Sequence, residues 1–156
     1  MSSSVVIIGV GNLLAGDDGI GVRAAHLLAA RDDLPDGVRV LDGGVVGMDL
    51  LVQIEVHEKV VLLDAVRTGA SPGELHRIPL EDVPETVFPE VSVHELGVGH
   101  LLFVARTLGR PLRGTLVGVE PGRIDPFTAE LSPAVAPVLP ELAEAGLREA
   151  RRLLEA

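Results

Sequence analysis

The run Val5-Val6-Ile7-Ile8-Gly9-Val10 passes directly into Gly11-Asn12-Leu13-Leu14-Ala15-Gly16 and then into Asp17-Asp18-Gly19-Ile20-Gly21-Val22. A short apolar, β-branched run bounded by serine and glycine is the pattern of a strand buried on both faces, so the chain must supply covering layers on either side of it. The residues after Val10 read as a glycine-rich turn opening a helix. A phosphate-binding loop at such a place keeps a bare helix N-terminus free for an anion. Here two adjacent carboxylates stand in that space, so the turn repels anions and favours cations.

The same alternation continues along the chain. Asp17 to Ala30 is predicted as a helix with acid in its first turn and an inner stripe of Ile20, Ala24, Leu27 and Leu28. Val38 to Leu41 is a second strand ending in Asp42-Gly43-Gly44, Met48 to Glu58 has helical spacing, and Lys59 to Val66 is a third strand with Asp64 near its C-terminal end. Thr68 to Gly73 is a cluster of turn residues, and Glu74 to Leu80 alternates with Pro79 inside it, as an edge strand does. That connection is too short for a helical crossover, so the fourth strand should run antiparallel. Residues 81 to 91 read as irregular, and Ser92-Val93-His94-Glu95 matches a capping box that opens a helix to Leu108. Thr115 to Val119 is the fifth strand, and a last helix is predicted from Ser132-Pro133 to Leu154, with Pro137 and Pro140 distorting its first turns. The order predicts an α/β fold, a three-layer α/β/α sandwich around a mostly parallel sheet, formed by residues 1 to 156 as one domain.

Composition narrows the function. A net charge of −10, with three Phe and no Trp or Tyr, opposes phosphate backbones and anionic lipid and leaves almost no stacking surface for bases. Nucleic-acid and membrane roles are therefore disfavoured. The absence of cysteine removes disulfides, thiolate metal sites and a cysteine nucleophile together. Met1 to Ser4 lead into the first strand with no basic flank or cleavage-like segment, and no apolar stretch approaches about 18 residues, which points to a cytoplasmic protein.

Nucleotide-binding and hydrolase motifs fail on particular residues. A dinucleotide fingerprint beginning at Gly9-Val10-Gly11 needs a third glycine where Leu14 stands, the sole lysine is Lys59, and there is no nucleophile-elbow serine. What remains lies at the C-terminal edge of the predicted sheet, where ligands gather in such folds: Asp17, Asp18, Asp42, Asp64 and His94. Two carboxylates and an imidazole can supply three ligands to a divalent ion such as Zn, Ni or Fe. Equally, paired carboxylates can share a proton and act as acid and base. Spacing does not separate these alternatives. Bland roles compete as well: Asp17 or Asp18 as a helix-start charge, Asp42 as a turn-former before Gly43-Gly44, His94 as a surface residue of the first helical turn. Asp64 inside Leu62-Leu63-Asp64-Ala65-Val66 is the hardest to dismiss, because a carboxylate at the end of an apolar strand is costly unless paired, coordinated or wet. His26, His57, His76 and His100 read as structural or exposed.

At these residues the chain resembles the nickel-iron hydrogenase maturation endopeptidases. The resemblance runs through Gly9 to Leu14, Asp17 to Gly21, Leu41-Asp42-Gly43-Gly44 with Gly47 and Met48, Leu63 to Val66, Ser92 to Gly97, and Leu116 to Pro121, in family order. It implies a mixed five-stranded sheet in the order 2-1-3-5-4 with the fourth strand antiparallel. It implies removal of a C-terminal extension from a hydrogenase large-subunit precursor once nickel has been inserted. It also places the family's metal-contacting and catalytic residues on Asp18, Asp64 and His94. The metal would be the nickel of the bound precursor, and a divalent ion such as Zn or Cd could occupy the same position. The chain departs from the family at Asp18, which is Glu in some members, and at Val45, where many carry Thr. A competing expectation of another class is a non-catalytic, metal-dependent binding or chaperone module for hydrogenase assembly, and a third, resting on Gly9-Val10-Gly11 alone, is a nucleotide-binding enzyme.

Overall fold

The computed structural model describes residues 4–44, 59–83, 98–125 and 127–156, with side chains of the third segment described from residue 102. Within them five strands form one sheet: β1 (Val5–Val10), β2 (Val38–Gly44), β3 (Lys59–Ala65), β4 (Leu75–Pro79) and β5 (Gly114–Val119), in the order β2-β1-β3-β5-β4. The β1–β2, β1–β3 and β3–β5 pairs are parallel and β4 runs antiparallel to β5. Both the strand order and the reversed edge strand agree with expectation. Pro79, which has no N–H to give a ladder, sits on the edge strand where that is tolerated.

The apolar residues of each strand alternate between the two faces. Val5, Ile7, Val61, Leu63, Val117 and Val119 point toward α1 (Ile20–Ala29) and α3 (Leu139–Glu155), where they meet Ile20, Ala24, Leu28, Leu142, Leu147 and Ala150. Val6, Ile8, Val60, Leu62 and Leu116 point the other way, onto Leu102 and Ala105 of α2 (Val98–Thr107) and onto Leu80 and Val83. Strands covered on both sides need continuous apolar sequence, which is why β1 and β3 read so clearly.

Helix α1 lies very close to the sheet because small residues face it. A Cβ added at Gly21 would stand 2.0 Å from the Leu63 carbonyl oxygen, and one at Gly9 would stand 2.2 Å from the Gly21 carbonyl oxygen. This centres the buried stripe on Ile20, Gly21, Ala24, Ala25 and Leu28 and turns Leu27, expected inside, toward solvent. Two helix starts also differ from expectation. Gly16–Gly19 forms a 3-10 turn before α1, and Ala136–Val138 forms another before α3, whose regular turns begin only at Leu139. Pro137 and Pro140 lack the N–H groups that regular turns from Ser132 onward would require. The predicted Met48–Glu58 helix, the Ser92–Glu95 capping box with His94, and Val45, Gly47 and Met48 lie outside the described residues.

Candidate active site

Because β1, β3 and β5 are parallel, the segments that leave them emerge at one rim of the sheet. Three segments meet there: residues 11–19 after β1, the end of β3, and residues 120–125 and 127–132 after β5. Gly11 makes the first turn possible. Its φ of +132° lies where side chains are rarely accommodated, and an added Cβ would stand 1.9 Å from the carbonyl oxygen of Asp18. The loop closes on itself through Ala15 N–H to Asn12 O at 3.1 Å, Asp18 N–H to Ala15 O at 3.2 Å and Leu14 N–H to Asn12 Oδ1 at 2.9 Å.

The two adjacent aspartates face different tasks. Asp17 is fully buried and accepts four hydrogen bonds: from Gly122 N–H at 2.8 Å and Arg123 N–H, Ser132 N–H and the Ser132 hydroxyl at 2.7 Å each. Four donors and full burial commit this carboxylate to the fold rather than to a ligand. Asp17 is thus an anchor that ties the segment after β5 to the segment after β1. Asp18, 5% exposed, accepts from Asn12 N–H at 2.8 Å on one carboxylate oxygen.

Asp64, the penultimate residue of β3, is 6% exposed, and its Oδ1 accepts from the following Ala65 N–H at 2.8 Å. The same oxygen would lie 3.6 Å from a Cβ on Gly11, so the missing side chain of Gly11 leaves room in front of it. Burial, and then the neighbouring charge of Asp18, push the Asp64 carboxyl well above the usual carboxylate range against the pull of the Ala65 N–H. Two carboxylates held in repulsion in a desolvated place can bind a divalent cation, which relieves that repulsion, or share a proton. Among the described residues no group of three His, Cys, Asp or Glu side chains is placed to hold a metal ion. His94 lies outside those residues.

Asp42 is brought to a different task. Its Oδ1 accepts from Gly44 N–H at 2.8 Å, closing its own turn, and its Oδ2 lies 2.7 Å from Nε2 of the exposed His26. His76 is likewise structural, 3.2 Å from the Thr68 hydroxyl and 3.4 Å from Glu120.

Sequence reasoning passed over two buried carboxylates. Glu120 accepts from Thr68 N–H, the Thr68 hydroxyl and Ala70 N–H at 2.9 to 3.0 Å, and these donors outweigh burial and hold it below its ordinary value. Glu149 accepts from the Thr115 hydroxyl at 2.6 Å and from Arg152, again enough to overcome burial. Glu149 borders a cavity of about 370 Å³ between β4 and α3, lined by Leu75, Arg77, Arg148 and Arg152 and by none of the rim aspartates.

This fold has known counterparts. The hydrogenase maturation protease family model matches residues 22–149. The chain belongs to the hydrogenase maturation protease family. It is 36% identical over 152 residues to the hydrogenase 2 maturation protease of Escherichia coli K12, covering 92% of this chain and 93% of that protein. It is also 36% identical over 156 residues to the hydrogenase expression/formation protein HupM of Azotobacter chroococcum, covering 94% and 75%. The solved structure of the hydrogenase maturating endopeptidase HybD from E. coli superposes with a TM-score of 0.82 at 34% identity, covering 96% of this chain and 93% of that one. Membership makes this chain an endopeptidase of hydrogenase maturation. Among the described residues no helix is long and apolar enough to cross a membrane.

Proposed function

We propose that this endopeptidase removes the C-terminal extension of a nickel-loaded hydrogenase large-subunit precursor, with Asp18, Asp64 and His94 binding the nickel that the precursor carries. The observation that supports this most is the Asp18–Asp64 pair: two buried carboxylates at the rim, one of them pushed up in pKa by burial and by the other's charge. An arriving divalent ion offsets that repulsion, so the site gains most from a substrate that brings the charge with it. Hard oxygen ligands and an imidazole suit nickel, and Zn or Cd as stand-ins.

Gating comes from differential binding. A precursor without metal offers the two aspartates nothing to coordinate and docks poorly, whereas a loaded one is held with its scissile peptide fixed beside the rim. Asn12 N–H keeps the Asp18 carboxylate oriented, and Ala65 N–H does the same for Asp64. The start of a helix, where His94 is predicted, favours the neutral imidazole that a metal ligand must be.

The test is to incubate nickel-loaded and metal-free precursor with the wild-type protein and with Asp18→Asn, Asp64→Asn and His94→Ala, following precursor mass by mass spectrometry. The expected result is loss of the extension from loaded precursor with wild type alone. Full cleavage by all three variants rejects the assignment of residues. A stable complex whose precursor mass never changes rejects proteolysis in favour of a metal-dependent chaperone.

A further inference from the structure

The rim carries an apolar feature as well as a charged one. Leu14 is 60% exposed and Phe127 is 94% exposed, in a chain with only three phenylalanines. They come from segments remote in sequence that the fold binds together: Ala15 and Thr128 form a parallel bridge, with Thr128 N–H to Leu14 O and Gly16 N–H to Thr128 O at 2.9 Å each. Leu14 and Phe127 are the residues that immediately precede the two partners of that bridge. Phe127 has a φ of +65°, a region that bulky side chains rarely enter, and it is held there beside the hydrogen-bonded Thr128. Burial of the side chain within this chain does not explain that conformation.

We propose that Leu14 and Phe127 form an apolar docking knob for the hydrogenase precursor, seated in an apolar surface of the substrate beside the segment presented to Asp18 and Asp64. The proposal rests on the reading of the rim as the protease site. The occupant follows from continuity with that site. Leu14 belongs to the same closed loop as Asp18, four residues away, and the segment of Phe127 is fixed to that loop by the Asp17 anchor and to the following helix α1 by Arg23, which donates to the Ala129 carbonyl oxygen. Four residues span at most about 14 Å, so a polypeptide docked at Asp18 is long enough to meet Leu14 as well. Metal ligation alone would accept any nickel-bearing surface, so an apolar contact at fixed distance from the carboxylates supplies the recognition of protein shape that ligation lacks.

The experiment is steady-state cleavage of nickel-loaded precursor by the whole protein carrying Phe127→Ala, Leu14→Ala or Phe127→Leu, with Leu108→Ala, an exposed leucine just after α2, as control. Melting temperatures establish that each variant is folded. The expected result is a KM raised about tenfold by Phe127→Ala and Leu14→Ala at a kcat within about twofold of wild type, little change with Phe127→Leu, and none with the control. A KM within about twofold of wild type for both alanine variants overturns the knob, as does size-exclusion chromatography in which Phe127→Ala dissolves a dimer without altering KM. If wild-type protein cleaves nothing, the protease reading fails by itself. Calorimetric titration of precursor then decides the knob separately: a tenfold loss of affinity in Phe127→Ala supports it, and equal affinity overturns it.

Discussion

Replacing Asp17 by asparagine changes no volume and removes one charge, yet the structure makes it one of the costlier substitutions available. Its carboxylate receives three backbone N–H groups and one hydroxyl, all within 2.8 Å, and none of these donors can turn to water without opening the rim. An asparagine can put its carbonyl oxygen where Oδ2 now meets Gly122, Arg123 and the Ser132 hydroxyl. Its NH2 group then confronts Ser132 N–H. One buried donor is stranded, at about 1–3 kcal/mol, and the three surviving bonds lose charge assistance, so the total is about 3 kcal/mol. For a chain of this size that corresponds to a fall of about 6–12 °C in melting temperature. Ser132→Ala removes only the hydroxyl bond and should cost about 1–2 kcal/mol. Asp18→Asn, whose amide oxygen can still accept from Asn12 N–H, should fall well short of the Asp17→Asn loss. Urea titration followed by circular dichroism measures all three. A stability of Asp17→Asn within about 0.5 kcal/mol of wild type, the scatter of ordinary surface substitutions, would refute the anchor.

Four further outcomes are expected from the same geometry. Asp64 has a folded-state pKa raised above its unfolded value, so the stability it contributes is fully present below the unfolded pKa and is lost as pH rises through the folded one. Asp64→Asn in chelator-treated protein should therefore raise the melting temperature at neutral pH, with the gain vanishing in acid; a gain that persists in acid contradicts this. Glu120 and Glu149 have the opposite sign, their stabilisation being present above the unfolded pKa and lost as pH falls through the folded one, so Glu149→Gln should destabilise at neutral pH and converge on wild type in acid thermal scans. Gly21→Ala should cost about 3 kcal/mol or more in a denaturant titration, because the new methyl group forces α1 off the Leu63 backbone. Adding nickel or zinc at about 100 times its Kd should stabilise wild type by about 2.7 kcal/mol, and the effect should disappear in Asp18→Asn and Asp64→Asn scans.

Much of the fold was legible because the sheet is covered on both faces. Continuous apolar runs such as Val60 to Leu63 carry their strand signal locally, and the short turn before β4 dictated its reversed direction. Asp64 stood out for the same reason, as a carboxylate at the end of an apolar strand. The division of labour between Asp17 and Asp18 was not legible. The donors that satisfy Asp17 lie 105 to 115 residues away, and adjacent identical residues carry no local mark of which one turns inward. Glu120 and Glu149 were hidden likewise, since their partners Thr68 and Thr115 are joined to them only by folding. The glycine pattern, which fails as a dinucleotide fingerprint, has a packing role instead. The third glycine of a dinucleotide fingerprint, absent at Leu14, serves close helix-to-sheet packing, and Gly21 performs that packing here from further along the chain.

The long reach of the Asp17 anchor bears on the order in which the chain can be put together. The loop that carries Asp17 and Asp18 finds the donors for Asp17 only when Gly122, Arg123 and Ser132 have arrived. During synthesis those residues leave the ribosome after every strand of the sheet has already been made. A nascent or truncated chain therefore lacks the donors that hold this loop, and the stretch translated after β5 is the clasp that completes it.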